Sequence, residues 1–427
     1  MRQAIRNYFT FLWRCARIAF DGDWRYYTWM GALTVVCLLG LNAYARQFAH
    51  GLIVTGMSDE VSWGVYIANF TFLVGVAAAA VMMVIPVYIY NNEELHDLVI
   101  FGELLAVAAI LMCLAFVTVD LGRPDRFWHL IPGLGQFNFP ASMLSWDVLV
   151  LNGYLVLNVH ICGYLLYCRY CGRKPAKWFY IPFVFIAIVW AISIHTVTAF
   201  LYVGLGGRHF WNSAIVGPRF LASAFTAGPA LIILAMQIVR RVTAKSAAHM
   251  ITDRALMTLR SIVQVSMLIN VFLLANEVFK EFYSRTSHVA SSQYLFLGLH
   301  GHHALVPWIW TAVAFNLVAM FLLLLPISRS LKWLNVSCVL CIVGIWIEKG
   351  MGLVIPGFIP TPLGAIIEYS PSLNETLVCL GIWAFGLLCY TIFLRMSVPI
   401  LQGRLSQANE FPPAPAVQPA AEEPLLA

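Results

Sequence analysis

Charge is scarce in this chain. Only 11% of its 427 residues are Asp, Glu, Lys or Arg, against about 25% in ordinary soluble domains. A soluble globule of this size would need far more polar surface, and 61% apolar content excludes disorder along the whole chain. The formal charge of +6 is too small and too scattered for a nucleic-acid partner. Close pairs of cysteine are also few. Of ten cysteines, only Cys168/Cys171 and Cys338/Cys341 have C-x-x-C spacing. The first pair falls at a predicted membrane edge and the second inside a helix. Four accessible ligands in one place, as a zinc site or an iron–sulfur cluster needs, are not assembled. No signal peptide is legible either. Residues 1–28 carry five arginines but no small-residue cleavage site.

What the sequence has is long apolar runs. A membrane-crossing helix takes about 20 mainly apolar residues. Ten such runs are predicted, at about 28–46, 63–90, 98–119, 142–166, 178–203, 217–239, 259–282, 304–326, 331–354 and 373–396. Backbone groups in lipid must pair internally, so these are helices. With the N-terminus in the cytoplasm, the inner segments hold 18 of the 26 Lys and Arg residues. That bias predicts both termini in the cytoplasm. The predicted protein is an all-α integral membrane protein of about ten transmembrane helices, in two four-helix bundles (spans 2–5 and 6–9) with spans 1 and 10 peripheral.

The expected divisions are a cytoplasmic N-terminal segment (1–27), the first span and outer loop (28–58), a first bundle (59–210), a second bundle (211–360), an outer loop with the tenth span (361–400) and a disordered cytoplasmic tail (401–427). The tail from Phe411, FPPAPAVQPAAEEPLLA, is rich in Pro and Ala. The bundle assignment rests on a weak parallel repeat. Phe72-Leu-Val-Gly75-Val-Ala77 in the second span matches Phe225-Thr-Ala-Gly228-Pro-Ala230 in the sixth. The longer loops carry aromatics, prolines and glycines, which predicts ordered caps and a docking face on the outer side.

Polar groups inside membrane spans are costly and become functional candidates. At 1.5 Å per residue, Asn69, Asp120, Asp147 and His195 all fall in the outer third of the first bundle, from four different spans, with Arg123 and Arg208 in adjacent loops. The second bundle offers Arg219, Asn276, Glu277, Glu348 and Lys349 at a similar level. Inner-half polar residues are sparser: Glu103, Asn152, Asn158, His160 and Asn270. A quinol surrenders two electrons and two protons. Its oxygens need hydrogen-bonding partners, a carboxylate or imidazole to take protons, and an apolar slot for ring and tail. The outer layer suits that chemistry, with His195 and Asp147 handling protons, Asn69 and Asp120 lining the site and Arg123 supporting the carboxylates. His160 and His195 lie at opposite depths and cannot share a heme iron. His300, His302 and His303 cluster at a loop junction, where hydrogen bonding is the simpler role than a metal site. A proton-coupled secondary transporter is the rival reading of the same acids, although transporter sites favour the midplane. A b-type cytochrome and a non-catalytic anchor are the others.

The stretches WGVYIANFTFLVGVAAAA (Trp63–Ala80), DLGRPDRFWHL (Asp120–Leu130), SMLSWDVLVLNGY (Ser142–Tyr154) and SIHTVTAFLYVGLGGRHFWNSAIVGPRFLASAFTAGPA (Ser193–Ala230) resemble the NrfD/PsrC family of quinone-interacting membrane subunits of polysulfide reductase-like complexes. Within it, length and texture are most like the DsrP subunits of Dsr sulfur-metabolism complexes. The resemblance implies two four-helix bundles, bound menaquinone or ubiquinone near the periplasmic side, and no heme or iron–sulfur cluster in the polypeptide. It implies a place in the bacterial inner membrane and a subunit that does not turn over alone. The implied partners are a periplasmic ferredoxin-like iron–sulfur subunit, a multiheme cytochrome c, a heme-b membrane subunit and a cytoplasmic iron–sulfur subunit. The carried-over quinone residues are Asn69, Asp120, Arg123, Asp147 and His195. Glu103, Glu277, Glu348 and Lys349 remain candidates for a proton path.

Overall fold

The computed structural model describes residues 2–90, 92–242, 251–284, 286 and 289–408. The expected disordered tail from Phe411 lies outside these residues. The chain opens with α1 (Arg2–Ala19), where the sequence alone shows only an arginine-rich segment. Its Phe11, Cys15 and Ala19, spaced four apart, are buried on one face. Phe11 packs edge-on to Tyr167 at 5.3 Å, and Arg14 donates to the Tyr170 hydroxyl at 2.7 Å and to Ser406 O at 3.2 Å. Phe9, Trp13 and Phe20 are exposed, as on a helix lying in a membrane interface. Burial pushes the Cys15 thiol up to about 12.

Among the described residues, ten segments are long and apolar enough to cross a membrane: α2 (Trp24–His50), the pair α3 (Val65–Ala78) and α4 (Val81–Tyr88), α5 (His96–Asp120), α6 (Met143–Tyr170), α7 (Lys177–Val203), α8 (Val216–Val242), α9 (Asp253–Ser284), α11 (Val306–Leu324), α12 (Leu331–Lys349) with its short continuation α13 (Met351–Val354), and α14 (Leu373–Leu401). A further short helix, α10 (Val289–Phe296), lies in the connection between α9 and α11. The protein is thus an all-α integral membrane protein. The second span is interrupted at Ala79–Ala80, ahead of Pro86, whose missing N–H and ring bulk weaken a helix there.

Helices α3 to α7 close one ring and α8, α9, α11 and α12 a second, while α2 pairs with α14 against α5. Burial ranks them: 83% of the apolar window is inside the protein for Val65–Tyr88 and for Leu98–Asp120, against 17% for Trp24–His50. The peripheral pair meets backbone to backbone. A Cβ on Gly40 would stand 2.6 Å from Gly381 Cα, so only glycine fits both positions. The two rings meet along α3 and α8 through small residues. A Cβ on Gly228 would come within 1.8 Å of Ala79 Cβ, and one on Gly75 within 3.5 Å of Ala224. Gly75 and Gly228, the matched glycines of the weak repeat, therefore both lie at the bundle interface, Gly75 against Ala224 and Gly228 against Ala79.

One face of the protein carries the four longer loops, and the opposite face carries both ends of the described residues. The loop-rich face is sealed by aromatics from both rings. Trp211 is fully buried, stands 5.6 Å from Trp63, 5.3 Å from Tyr202 and 5.0 Å from Phe358 between ring centroids, and donates from Nε1 to Leu353 O at 2.8 Å. At the same face His302 Nδ1 lies 3.2 Å from Glu368 Oε2. Burial alone would raise the Glu368 carboxyl, but the Ala304 N–H, His302 and the Tyr294 hydroxyl together hold it below its ordinary value.

Candidate functional site

The candidate residues of the first bundle share a level but not a single crevice. Asn69 is a saturated junction. Its Oδ1 accepts from Trp346 Nε1 and Trp383 Nε1, both at 2.9 Å, and its Nδ2 donates to Val65 O at 2.8 Å. One amide thereby ties α3 to α12 and α14. Asp147 Oδ1 accepts from the Thr198 hydroxyl at 3.3 Å. One turn away along α7, His195 sets Nδ1 3.3 Å from Ala191 O, while its Nε2 is buried without a partner. Thr71 donates to Ile67 O at 2.8 Å and so accepts, at 2.5 Å, from the Tyr202 hydroxyl. Tyr202 is within electrostatic reach of both Asp120 and Asp147.

Asp120 ends α5 with Oδ1 buried and unpartnered. Beside it Gln47 donates to Val119 O at 2.6 Å and accepts from the Tyr66 hydroxyl at 2.7 Å. Gln47, Tyr44, Phe48, Leu52, Leu121 and Arg123 line a cavity of about 440 Å³ that opens at the loop-rich face. Arg123 is a correction. It does not brace Asp120 or Asp147; it is largely exposed and forms a two-pronged pair with Asp125 at 3.0 and 2.8 Å. That pair holds the Asp125 carboxyl below its usual range. Residues only two apart in sequence, on a solvent-facing turn, meet at smaller entropic cost than a guanidinium reaching into the helix ring.

Glu375 is a residue that depth counting along the spans does not pick out. It is fully buried at the start of α14. Its carboxylate accepts from the Tyr369 hydroxyl at 2.7 Å, Gly56 N at 2.6 Å and Ser372 N at 2.8 Å, and it lies within electrostatic reach of Asp120. The signal was legible as Ser372-Leu-Asn-Glu375, a capping box.

The second bundle does converge. Arg219 pairs with Glu348 at 2.8 Å and with Glu277. Glu348 Oε2 accepts from Asn316 at 2.7 Å and Asn270 at 3.3 Å. Lys349 Nζ stands 4.0 Å from Glu348 Oε1, beyond hydrogen-bond length, so Glu348 is held by Arg219 and not by its sequence neighbour. Asn276 only bonds Phe272 O on its own helix, at 2.7 Å, and is exposed. In the other half of the first bundle, Glu103 accepts from the Cys162 thiol at 3.0 Å. Asn152 and Asn158 are spent on carbonyls of α6, each at 2.8 Å. Among the described residues no group of three or more His, Cys, Asp and Glu side chains is placed to hold a metal ion.

The family described as "Polysulphide reductase, NrfD" matches residues 53–360. A Halobacterium salinarum protein, provisionally named as a membrane subunit of dimethyl sulfoxide reductase, is 26% identical over 77% of each sequence. The Hdr-like menaquinol oxidoreductase integral membrane subunit of Archaeoglobus fulgidus is 23% identical, over 90% of this sequence and 96% of its own. A polysulfide reductase subunit of Wolinella succinogenes is 28% identical, over 40% of this sequence and 56% of its own. With both helix rings falling inside the matched stretch, the protein belongs to the NrfD/polysulphide reductase family.

Proposed function

We propose that this protein is the quinone-interacting integral membrane subunit of an oxidoreductase complex, passing electrons between the membrane quinone pool and a periplasmic iron–sulfur subunit. The quinone is menaquinone or ubiquinone. The observation that carries the reading is the cavity of about 440 Å³ at the loop-rich face; Asp120, whose Oδ1 is buried and unpartnered, directly precedes its lining residue Leu121. Its size falls in the range that holds small organic ligands, and its walls mix Tyr44 and Phe48 with the polar side chains of Gln47 and the Arg123–Asp125 pair. A quinol bound there would supply two electrons and two protons. Gln47 and Arg123 present donors to the ring oxygens, and Asp120 is placed to accept a proton.

From Asp120 the Tyr202–Thr71 pair leads inward to Asp147 and His195. Glu277, Glu348 and Lys349 extend the polar row into the second bundle, and Glu103 extends it toward the other face. Asn69 holds the helices around this row. The loop-rich face is periplasmic in this reading, both termini are cytoplasmic, and the membrane is the bacterial inner membrane. Exposed Phe127, Trp128 and Leu134, in the loop that follows the lining residues Arg123–Asp125, give an electron-accepting partner a place to dock. The partners in this reading are a ferredoxin-like iron–sulfur subunit, a multiheme cytochrome c, a heme-b membrane subunit and a cytoplasmic iron–sulfur subunit of a DsrP-type sulfur-metabolism complex.

The test is photolabelling of the purified complex with an azidoquinone, combined with quinol oxidation kinetics. Label is expected within residues 44–52 and 121–125. Asp120→Asn should lower turnover by about 100-fold, as removal of a general base does, with the complex still assembled. Label confined to other helices, or an Asp120→Asn complex that oxidises quinol at the unmodified rate, overturns the assignment.

A further inference from the structure

Between the two helix rings, Thr71, Gly75, His195, Ser223, Ala224 and Lys349 enclose a void of about 10 Å³, room for the centre of one water molecule. It exists because Gly75 and Ala224 carry almost no side chain where α3 and α8 meet. Two titratable groups face it. His195 is 2% exposed. Its Nδ1 lies 3.3 Å from Ala191 O, so Nδ1–H donates there and Nε2 keeps its lone pair. That Nε2 is buried and unpartnered, and it lies 3.9 Å from where a Gly75 Cβ would stand. Lys349 is 3% exposed. Its ammonium rests 5.4 Å from the Phe220 ring centre and 4.0 Å from Glu348 Oε1, so a third contact is open to it. A lone-pair nitrogen from one bundle and an N–H donor from the other therefore border the same water-sized space.

We propose that one buried water in this void bridges Lys349 Nζ to His195 Nε2 and passes protons between the two bundles. Lys349 donates to the water oxygen, and the water donates to Nε2. Transfer moves an N–H proton of Lys349 to the water as one of the water's own protons goes to Nε2. A neutral amine and an imidazolium result, with the water unchanged, and the reverse step restores the start. The first bundle's hydroxyl pair and the second bundle's ion cluster, separate networks otherwise, become one. The purpose of the bridge, carrying quinol protons, rests on the proposed function; the bridge itself does not.

Gly75 gives the test. An alanine Cβ would lie 3.5 Å from Ala224 and 3.9 Å from His195 Nε2, ordinary contact distances. Gly75→Ala therefore fits without moving backbone while taking the water's space. Gly75→Ser is larger still but puts a hydroxyl where the water stood. In the intact purified complex, high-resolution cryo-electron microscopy should show a water peak within hydrogen-bond distance of both Nε2 and Nζ, lost in Gly75→Ala. Quinol-dependent turnover should fall roughly tenfold or more in Gly75→Ala and in Lys349→Met, and recover to within about twofold in Gly75→Ser. A packing defect would make serine worse than alanine. No water peak in the unmodified complex overturns the bridge, as does Gly75→Ser no faster than Gly75→Ala, or Gly75→Ala at the unmodified rate. An unmodified complex that shows the water peak but oxidises no quinol refutes the quinone reading and leaves the bridge standing.

Discussion

The sharpest stability test is Arg219→Met. Arg219 is 4% exposed and joins two carboxylates, Glu348 at 2.8 Å and Glu277. With Lys349, the four groups sum to zero when all are ionised. Methionine keeps much of the side-chain volume and removes the charge, leaving two buried acids against one lysine that does not hydrogen-bond either. Breaking a buried pair by deleting one partner costs about 3–5 kcal/mol, because the other charge stays behind. The second substitution makes the reasoning refutable. Glu277→Gln in the Arg219→Met background leaves Glu348 and Lys349, one charge of each sign. The double variant should be more stable than Arg219→Met alone, with a coupling of about 1–3 kcal/mol. The assay is thermal denaturation of the purified protein in detergent, the four variants of the cycle side by side. A double variant less stable than Arg219→Met would mean that the cluster is held by shape and not by charge balance.

Three further outcomes follow from particular contacts. Asn69→Leu strands the indole N–H groups of Trp346 and Trp383, each about 1–3 kcal/mol when left unsatisfied; a lowered denaturation midpoint with altered tryptophan emission checks it. Gly381→Val forces α14 off α2, where a Cβ would already stand 2.7 Å from Gly40 Cα; limited proteolysis should then cut near α2 while the two rings stay resistant. The Glu368 carboxyl sits below its ordinary value of 4.5. Its hold on the loop cap is therefore fully present above that pH and lost as pH falls through the lowered value. Hydrogen-exchange protection of the Ala304 amide, taken relative to its intrinsic rate at each pH, should fall on acidification below about pH 4.5, and Glu368→Gln should show little protection at every pH.

The ten spans were readable because lipid leaves little choice: an apolar run of the right length becomes a helix with its backbone bonds inside it. Edges moved where a helix outlasts its apolar stretch. The predicted seventh span begins at 259, whereas α9 starts at Asp253, six residues earlier, in a charged turn. The helix at the N-terminus is hard to read for a related reason. Five arginines dominate residues 1–28, and the four-residue spacing of Phe11, Cys15 and Ala19 is a quieter signal than charge. Glu375 escapes sequence reasoning because its role is played by tertiary partners: a capping box marks a helix start, but nothing local says that Gly56 and Tyr369, from two other segments, will also use the carboxylate.

Depth along a helix can be counted from sequence; the direction a side chain points across a ring cannot. Counting puts Asn69, Asp120, Asp147 and His195 at one level, yet each faces a different neighbour. Asn69 turns to two indoles, Asp147 to Thr198, and His195 to the gap between the rings. The faint repeat held information of the other kind. Gly75 lies against Ala224 and Gly228 against Ala79 where α3 packs on α8, and close packing there needs residues without bulk. The same lack of bulk leaves a water-sized space beside a histidine and a lysine. Larger residues at Gly75 and Ala224 would either hold the rings apart or fill that space. The small-residue seam of the bundle interface is for that reason also where the proposed proton bridge sits.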